Sequence, residues 1–365
     1  MVHGHGVVNV LVTGAAGFIG SHLSIALRRR GFRVRALILP TDDEPLLAEE
    51  GVEILRGNVT CPEDCLTAAR GMDLVFHLAA IVNDWCPRKR IIRINAGGTE
   101  NLLRAASLRG VRRFVLVSSL AVHRFHPYRN GDEGAPRNAR LTPYAESKIL
   151  AEDLALRYQA RGLIETVIVR PGLFPFGPRD RTSLVKLVGG LRRRLYAHIN
   201  GGRSVFCTAY VENLVEGILL AGIEPKAAGE TFVIADEQPV NWESLIAAFC
   251  EQLGIEEIRR SLPGWLAYAL AGIVELVHKA HLARGEPAIT RYRVKVPAQD
   301  FFFSSEKARR MLGFRPRVSF PEAVERTMDW YKTEILEPGE HGPLRRGERV
   351  EKSRPLPPEK SFLPG

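Results

Sequence analysis

The chain has 365 residues, of which 45% are hydrophobic, and a formal net charge of +10 at pH 7. This length and hydrophobic content allow a substantial core and exceed the usual size of one compact domain, so we predict a main domain followed by a smaller lobe. The five cysteines show no C-x-x-C pair and no zinc-ligand spacing. This argues against a disulfide framework or a metal site and favours a reducing cytoplasm.

The positive charge lies in short basic runs, which we do not expect to bind nucleic acid. The runs Arg28–Arg30, Arg88–Arg90 and Arg192–Arg194 are far apart and lack interleaved aromatic residues for base stacking. Weak association with an anionic membrane surface is compatible with this charge. The N-terminus has no signal-peptide pattern, and charged residues interrupt the apolar segment Leu262–Leu282, so we expect no transmembrane segment.

Apolar, β-branched runs alternate with helical patterns from the N-terminus onward, which is typical of a parallel sheet covered by helices. Because these runs are apolar at nearly every position, the strands should be buried on both faces. The pattern indicates an α/β fold, a Rossmann-type doubly wound parallel sheet. The predicted strands are Val8–Val12, Val34–Leu39, Val52–Leu55, Leu74–Leu78, Phe114–Ser118 and Thr166–Arg170, and the predicted helices include Ile91–Arg109 and Tyr144–Arg161.

After Pro171 the pattern loosens, which predicts a smaller, mixed α/β C-terminal lobe. We place the main domain at residues 1–171, joined by segments from about 205–236, and the lobe at residues 172–333. Residues 334–365 are rich in proline, glycine and charge, which predicts a disordered tail. Helices of the lobe are predicted at Val211–Leu220, Trp242–Leu253, Pro263–Leu282, Ser304–Leu312 and Pro321–Lys332.

The first strand runs through a glycine-rich turn into a helix, with Gly14, Gly17 and Gly20 separated by Ala15-Ala16 and Phe18-Ile19. Gly14 allows the tight turn, Gly17 lets a pyrophosphate approach the backbone, and Gly20 lets the helix pack closely on the strand. The helix N-terminus offers free N–H groups to phosphate. After the first strand of an alternating chain, this pattern predicts a nicotinamide-dinucleotide site rather than a structural turn.

The end of the second strand bears on the choice between NAD and NADP. Leu37-Ile38-Leu39-Pro40 contains neither the acidic residue that would bind the adenosine ribose nor an arginine for a 2′-phosphate. Asp42, Asp43 and Glu44 follow shortly and would disfavour a phosphate, which slightly favours NAD. The same three residues are equally typical of a solvated loop.

A candidate catalytic pair opens the helix predicted at Tyr144–Arg161. The four-residue spacing puts Tyr144 and Lys148 on one face. A phenol has a pKa of about 10, so a nearby ammonium is needed to favour the phenolate near neutral pH, and Lys148 is the candidate. This spacing alone also occurs in many surface helices. Ser119, however, follows the fifth strand at the sheet edge where ligands bind, and we expect it to hydrogen-bond the substrate oxygen.

Taken together, these residues resemble the extended short-chain dehydrogenase/reductase family, also called the NAD-dependent epimerase/dehydratase superfamily. The matching segments follow one another in family order over most of the chain. They are TGAAGFIG at 13–20, DLVFHLAA at 73–80, INAGGTENLL at 94–103, VSSLAV at 117–122, PYAESK at 143–148, VRPG at 169–172, YVENLVEGI at 210–218 and LGFRP at 312–316.

The resemblance implies an enzyme that uses NAD or NADP, with Ser119, Tyr144 and Lys148 as its catalytic triad. Asn95 would support the site, although the pattern alone suggests a helix N-cap. Asn58 stands where the family often has an aspartate near adenine, and its amide oxygen can still accept a hydrogen bond there. His77 is expected to be packed rather than catalytic. The predicted cofactor-binding residues are Gly14, Gly17, Phe18, Ile19, Gly20, Asn58, Val59, Leu78, Ala79, Ala80, Asn95, Tyr144, Lys148 and Pro171.

The resemblance leaves three functions to weigh. The segment after Pro171 lacks the asparagine that sugar-nucleotide members tend to carry, and residues 204–213 lack their arginine, although Arg203 lies just upstream. The apolar segment Leu262–Leu282 and the following Tyr292 are similar to the 3β-hydroxysteroid dehydrogenase branch. We therefore expect hydride transfer to or from a bulky, apolar, sterol-like alcohol or ketone. The alternatives are a nucleotide-sugar epimerase or dehydratase with tightly bound NAD, and a non-catalytic nicotinamide-sensing protein.

The family resemblance also implies a homodimer, formed through two helices of each subunit. The helices predicted near residues 91–109 and 144–161 are the candidates for that contact.

Overall fold

The computed structural model describes residues 7–42, 44–137, 142–280, 282 and 285–336. Asp43 and the tail from residue 337 onward lie outside the described residues. The strands are β1 Asn9–Thr13, β2 Arg33–Ile38, β3 Glu53–Arg56, β4 Leu74–His77, β5 Arg113–Val117, β6 Tyr128–Gly131, β7 Glu165–Pro171, β8 Phe174–Phe176, β9 His198–Ile199, β10 Val205–Tyr210, β11 Thr231–Ile234, β12 Pro239–Asn241, β13 Ser261–Leu262 and β14 Phe301–Phe303.

Most of the predicted helices begin and end within a few residues of their expected positions. The α-helices are α1 Phe18–Arg29, α2 Pro45–Glu49, α3 Pro62–Ala68, α4 Arg88–Ile92, α5 Gly98–Leu108, α6 Pro143–Ala160, α7 Ser183–Arg192, α8 Val211–Ile223, α9 Trp242–Leu253, α10 Gly264–Lys279, α11 Arg291–Lys295, α12 Glu306–Leu312 and α13 Phe320–Glu334.

A seven-stranded sheet forms the centre of the structure, in the order β3-β2-β1-β4-β5-β7-β11, with every neighbouring pair parallel. The six strands predicted from the sequence all belong to it. Strands β4 and β5 are buried at every position, as expected, whereas the edge strand β3 is partly exposed. The predicted Rossmann-type doubly wound α/β fold is confirmed.

Alternate residues along each strand enter two different cores, one on each face of the sheet, because neighbouring side chains of a strand point in opposite directions. Val10 and Val12 of β1 pack into the core that also contains Leu23 of α1 and Met328 of α13. Leu11, between them, packs into the core on the other face, formed mainly by α3, α5 and α6. The period-two burial explains why these strands are apolar at almost every position.

A smaller mixed sheet accompanies the large one, in the order β12-β10-β14-β6, with β8 beside β10. Only β10 and β12 are antiparallel among its described pairs. Strand β6 precedes Pro171 in the chain yet belongs to this sheet, and β11 follows Pro171 yet belongs to the large sheet. The chain therefore crosses between the two sheets more than once, and the domain boundary at Pro171 stays a prediction.

The helix predicted at residues 91–109 is an unbroken helical run with a π-helical turn, Arg93–Gly97, between α4 and α5. Asn95 lies inside that turn, and the N-cap residue of α5 is Gly97. The interpretation of Asn95 as an N-cap is therefore wrong. A π-helical turn re-aims its side chains, and such turns are frequent at functional sites.

Helix α6 is tied to the sheet by a buried ion pair between Glu152 and Arg170 of β7. The guanidinium donates two hydrogen bonds to the carboxylate, Nε to Oε1 at 2.8 Å and Nη2 to Oε2 at 2.7 Å. Arg137 adds a third donor at 3.1 Å. Arg170 also donates to the Glu133 carbonyl at 3.0 Å. Burial by itself raises the pKa of Glu152, but these cations outweigh it and lower the pKa, so the pair is charged.

Replacing Glu152 with alanine should destabilise the protein strongly, because it leaves the Arg170 guanidinium buried without its counter-charge. We expect a loss of roughly 3–5 kcal/mol in the free energy of unfolding. Glu322→Ala is the matched control, since Glu322 pairs with Arg326 on the surface and should cost less than about 1 kcal/mol. Denaturant titration of both variants measures the difference, and equal losses would contradict the role assigned to the buried pair.

Candidate active site

The predicted site residues cluster at one edge of the large sheet. Because its strands are parallel, their carboxyl ends lie at the same edge, which is where ligands bind in open α/β folds. Gly14 follows β1, Ala79 follows β4 and Ser119 follows β5, while Pro171 ends β7. Tyr144 begins α6 beside them. The fold thus brings together residues that lie as much as 157 positions apart in the sequence.

The glycine turn after β1 has no room for a side chain at Gly14 or at Gly20. Gly14 has a φ of +68°, and a Cβ there would lie 2.7 Å from the backbone nitrogen of Ala79. A Cβ on Gly20 would lie 2.1 Å from the Gly14 carbonyl oxygen. Gly17 is the N-cap residue of α1 and offers no capping side chain to the first N–H groups. A bare helix N-terminus behind a compact turn fits the pyrophosphate of a dinucleotide.

A buried polar chain lies beneath the turn and links β1, β4 and the π-helical turn. His77 bonds to Thr13 Oγ1 through Nδ1 at 2.7 Å and to Thr99 Oγ1 through Nε2 at 3.0 Å. Thr99 donates its own proton to the Asn95 carbonyl at 2.6 Å, which assigns the ring proton of His77 to Nε2. Burial, assisted by the charge of Lys148, lowers the pKa of His77 to about 3. His77 is therefore a neutral, packed residue, as predicted.

Asn95 connects the segment after β4 to the catalytic helix. Its Oδ1 accepts a hydrogen bond from the Ile81 N–H at 2.8 Å, and its Nδ2 donates to Ser147 Oγ at 2.9 Å and to the Ile81 carbonyl at 3.0 Å. Ser147 in turn donates to the Tyr144 carbonyl at 2.7 Å. The amide therefore fixes the distance between the segment beyond Ala80 and the first turn of α6.

Local sequence sets the start of α6 one residue before Tyr144. Pro143 occupies the first turn, where its missing N–H is not needed, and Thr142 caps the helix by accepting from the Ala145 N–H at 3.1 Å. Tyr144 and Lys148 are then one turn apart. The phenol lies near Ser119, close enough for that hydroxyl to lower its pKa, and the Ser119 hydroxyl oxygen accepts the Ala121 N–H at 3.1 Å.

Burial shifts the pKa values of both predicted catalytic groups toward their neutral forms. It raises the pKa of Tyr144, and the hydrogen bond from Ser119 acts in the opposite direction. It lowers the pKa of Lys148 to about 8, with the charge of Glu152 opposing part of that change. The Lys148 ammonium donates to the Val117 carbonyl at 2.9 Å, at the end of β5. Lys148 is thus brought within reach of a protonation change near the working pH of an enzyme, whereas burial favours the protonated phenol of Tyr144.

The adenosine end of the predicted site contains a residue that sequence reasoning missed. Arg56 ends β3 opposite Ile38 of β2, and its guanidinium donates to the Pro40 carbonyl at 3.2 Å and the Asp42 carbonyl at 2.6 Å. Only the strand register reveals this neighbour. Asp42 itself accepts the Leu39 N–H at 3.1 Å, which holds the loop after β2 in a turn.

Asn58 has its side-chain oxygen engaged within its own loop. The oxygen accepts from the Thr60 N–H at 3.0 Å and the Thr60 hydroxyl at 2.9 Å, an Asx turn that leads into α3. Contact between Asn58 and adenine stays a prediction. Of the other predicted contacts, Val59 and Pro171 are buried, whereas Phe18, Ile19, Leu78 and Ala80 are half-buried near the same edge.

An aromatic wall beside the smaller sheet is formed by Tyr292, Phe125 and Phe301. Tyr292 of α11 packs edge-on against Phe125 with ring centroids 5.4 Å apart, and Phe125 stacks on Phe301 at 5.0 Å. Burial raises the pKa of Tyr292, and Tyr144 lies near enough to add an electrostatic contribution in the same direction. Neither Phe125 nor the proximity of Tyr292 to Tyr144 could be identified from sequence spacing.

Helix α11 is held over the site by Asp84, from the loop after β4. Thr290 donates to Asp84 Oδ2 at 2.6 Å, and Arg293 donates to Asp84 Oδ1 at 2.7 Å. These bonds connect residues more than 200 positions apart and close the lobe onto the sheet edge.

The described part of the chain contains no disulfide, no candidate metal site and no membrane-spanning helix. All five cysteines are free thiols. Among the residues that the structure describes, no group of three or more His, Cys, Asp or Glu side chains is arranged to hold a metal ion. No described helix combines the length and the apolar character needed to cross a membrane.

The fold and the site together define a class, the Rossmann-fold enzymes in which a tyrosine and a lysine lie one helical turn apart beside a dinucleotide turn. The model of the NAD dependent epimerase/dehydratase family matches residues 10–235. The chain belongs to this family, the extended short-chain dehydrogenases/reductases, and within it to the 3β-hydroxysteroid dehydrogenase-like branch.

Relatives match along most of their length. Short-chain dehydrogenase/reductase family 42E member 1 of Mus musculus is 31% identical, over 88% of this chain and 87% of its own. The 3 beta-hydroxysteroid dehydrogenase/Delta 5-->4-isomerase of Mycobacterium tuberculosis is 31% identical, over 88% and 90%. A 4-hydroxy-2-methyl-3-oxo-4-farnesyl-3,4-dihydroquinoline-1-oxide ketoreductase of Stigmatella aurantiaca is 30% identical, over 87% and 95%. The crystal structure of gox2253 superposes with a TM-score of 0.76 at 28% identity, covering 91% of this chain and 99% of that one.

The pKa of Lys148 leads to a pH-dependent difference in stability. Because the folded protein holds this pKa near 8 and an unfolded lysine titrates at 10.5, the unfolded chain binds more protons between these values. The free energy of unfolding should therefore gain, from this group, on the order of 2–3 kcal/mol as the pH rises from about 8 to 10.

The variant Lys148→Met removes the titrating group. Its free energy of unfolding should therefore lack this increase between pH 8 and 10. Thermal or urea unfolding of the wild type and the variant across this pH range measures it, without added nucleotide. Lys226→Met, at an exposed position, is the control and should follow the wild type. Parallel pH curves for wild type and Lys148→Met would show that the buried ammonium is not the cause.

Proposed function

We propose that this NAD-dependent oxidoreductase transfers hydride between the nicotinamide and a secondary alcohol or ketone carried by a bulky, apolar, sterol-like molecule. The observation that carries the proposal is that Tyr144, at the start of α6, lies near Ser119 at the sheet edge and within electrostatic range of Tyr292, which packs on Phe125. A polar pair with aromatic side chains nearby is the arrangement expected for orienting one oxygen of an otherwise apolar substrate.

The chain's own residues would handle the proton and the orientation. When bound, the nicotinamide accepts or returns the hydride. Tyr144 takes the hydroxyl proton when the substrate is oxidised and returns it when the ketone is reduced. Ser119 donates a hydrogen bond that favours the phenolate and positions the substrate oxygen. Lys148, when charged, favours the phenolate further, and Asn95 acts through Ser147 as a positioning residue.

The nucleotide-binding residues are proposed on the same geometry. The turn Gly14–Gly20 would hold the pyrophosphate, with Ala79 and Ala80 beside the nicotinamide end. We propose NAD as the preferred nucleotide, because Asp42 stands at the ribose end while the Arg56 guanidinium is engaged with two loop carbonyls. A homodimer through α5 and α6 is part of the proposal, supported by the exposed Leu150 and Leu156 on α6.

The side chains in and near strand β10 favour an apolar substrate over a sugar nucleotide. Strand β10, where sugar-nucleotide members carry an arginine, has the sequence VFCTAY and no cation. Arg203, just before it, points to a surface cavity that it shares with His198 and Glu243. Two of the relatives above are named for a steroid and a farnesylated quinoline, both large and mostly apolar.

The second candidate is a nucleotide-sugar epimerase or dehydratase, favoured by the family to which residues 10–235 belong. Such an enzyme regenerates its nucleotide in place, whereas a dehydrogenase exchanges it at every turnover. We expect the purified, denatured protein to release well below one nicotinamide nucleotide per chain, measured by chromatography. Near-stoichiometric release would move the assignment to the epimerase.

Substrate class is tested by steady-state assays with the nicotinamide absorbance as readout. We expect oxidation of sterol-like secondary alcohols with NAD, a higher KM for NADP, and no conversion of nucleotide sugars. Turnover of nucleotide sugars with no activity on apolar alcohols or ketones would contradict the proposal.

Tyr144→Phe should reduce kcat for hydride transfer by about 10²–10⁴, because the variant lacks the proton-transferring hydroxyl. Nucleotide affinity, measured by fluorescence titration, should stay within a few-fold of the wild type. The matched control is Tyr158→Phe, a tyrosine near the other end of α6 that packs in the core and should keep full activity. Unchanged kcat in Tyr144→Phe would remove Tyr144 from the mechanism, and undiminished biological function in that variant would favour a nicotinamide sensor.

A further inference from the structure

The smaller lobe contains a polar cavity with a volume of about 340 Å³. Three segments line it: strand β9 with the turn after it, the first turns of α9, and the stretch that leads into β13. Its volume lies at the small end of the range of roughly 300–1,000 Å³ that is typical of small-molecule sites. None of its lining residues belongs to the predicted catalytic or nucleotide-binding set, so the cavity needs an explanation of its own.

His198 provides the buried part of the lining with a hydrogen-bond acceptor that has no partner. The residue is 5% exposed, and its Nε2 donates to the Ile258 carbonyl at 2.8 Å, which leaves Nδ1 as the acceptor. Nδ1 forms no hydrogen bond with any residue that the structure describes. Gly202 has a φ of +72°, and a Cβ there would lie 2.6 Å from Nδ1, so another residue would block this edge of the ring. A buried polar atom without a partner indicates that a bound group completes it.

Charged side chains of both signs surround the cavity without pairing. Arg203 and Arg259 are exposed cations in its lining, and Glu243 and Glu257 are exposed anions. Within the described ranges of the chain, none of these four side chains forms an ion pair. Opposite charges that share a cavity but do not meet are complementary to a ligand that carries both charges.

The cavity offers suitable partners to each end of such a ligand. Arginine side chains match a carboxylate, to which they can donate two parallel hydrogen bonds. The Ser261 hydroxyl accepts the Gly201 N–H at 2.8 Å, so its own proton is free to be donated. The carboxylates of Glu243 and Glu257, with the histidine acceptor, can receive the protons of an ammonium group. Ile246, buried in the lining, supplies an apolar surface for a short side chain.

We infer that this cavity binds a small zwitterion, a free α-amino acid, with its carboxylate on Arg203 and Arg259 and its ammonium group on Glu243 and Glu257. A simple anion such as phosphate fits less well, because the two glutamates repel a ligand that has no positive group. The site does not depend on the substrate proposed above, since it shares no residue with the catalytic or nucleotide-binding set.

The test is saturation-transfer NMR on the full-length protein with an equimolar mixture of the twenty free amino acids. We expect transfer to at least one aliphatic amino acid, unchanged when NAD is added. Its N-acetyl and carboxamide derivatives each lack one charge and should bind on the order of tenfold more weakly. Absence of transfer to every amino acid would overturn the inference. Equal binding of the N-acetyl derivative would also overturn it, because the cavity would then be a site for simple anions.

Two pairs of substitutions locate the binding. Arg203→Gln/Arg259→Gln and Glu243→Gln/Glu257→Gln should each weaken it by about tenfold, because each removes the partners of one charged group. The matched control is Arg315→Gln/Arg317→Gln, which removes two exposed arginines outside the cavity. It should bind like the wild type, and all three variants should keep the wild-type melting temperature. Unchanged binding in both cavity variants, or an equal loss in the control, would show adventitious surface contacts and overturn the assignment.

Discussion

The attachment of α6 to the sheet is the constraint on which the site depends. The helix carries both Tyr144 and Lys148, and the buried pair of Glu152 with Arg170 fixes it against β7. A bidentate pair between a helix and a strand permits one rotation and one depth of the helix, because both hydrogen bonds must be kept when water cannot replace them. Lys148 adds a bond to the end of β5, so the catalytic turn is held from two strands.

The polar groups beneath the site are also held by buried hydrogen bonds, but these groups are uncharged. His77 is enclosed between two threonine hydroxyls, and burial keeps its ring uncharged. Asn95 uses both ends of its amide, toward Ile81 and Ser147. Buried polar groups that have their hydrogen bonds satisfied add rigidity and little electrostatic cost. His77 and Asn95 can therefore stiffen the sheet edge without adding charge to it.

The smaller lobe has two faces of different composition. Toward the sheet it presents Tyr292 and the bonds from Thr290 and Arg293 to Asp84, which close the site with aromatic side chains. Away from the sheet it presents the exposed apolar side chains of α10, among them Trp265, Ile273 and Leu276. The two surfaces meet at the loop around Trp85, which lies against His278 and Lys279 of α10.

The sequence by itself determined the six strands from Val8 to Arg170, the glycine turn and the helix that begins near Tyr144. These features are local, since side-chain periodicity, glycine and proline act within a few residues of the chain. Only the tertiary structure decided that Asn95 lies in a π-helical turn rather than at an N-cap, that β6 joins the smaller sheet, and that Arg56, Asp84 and Tyr292 border the site. Each depends on neighbours distant in the sequence. The outward face of α10 is the clearest case, because an apolar helix that closes a core and one that faces outward have the same composition, and only packing distinguishes them.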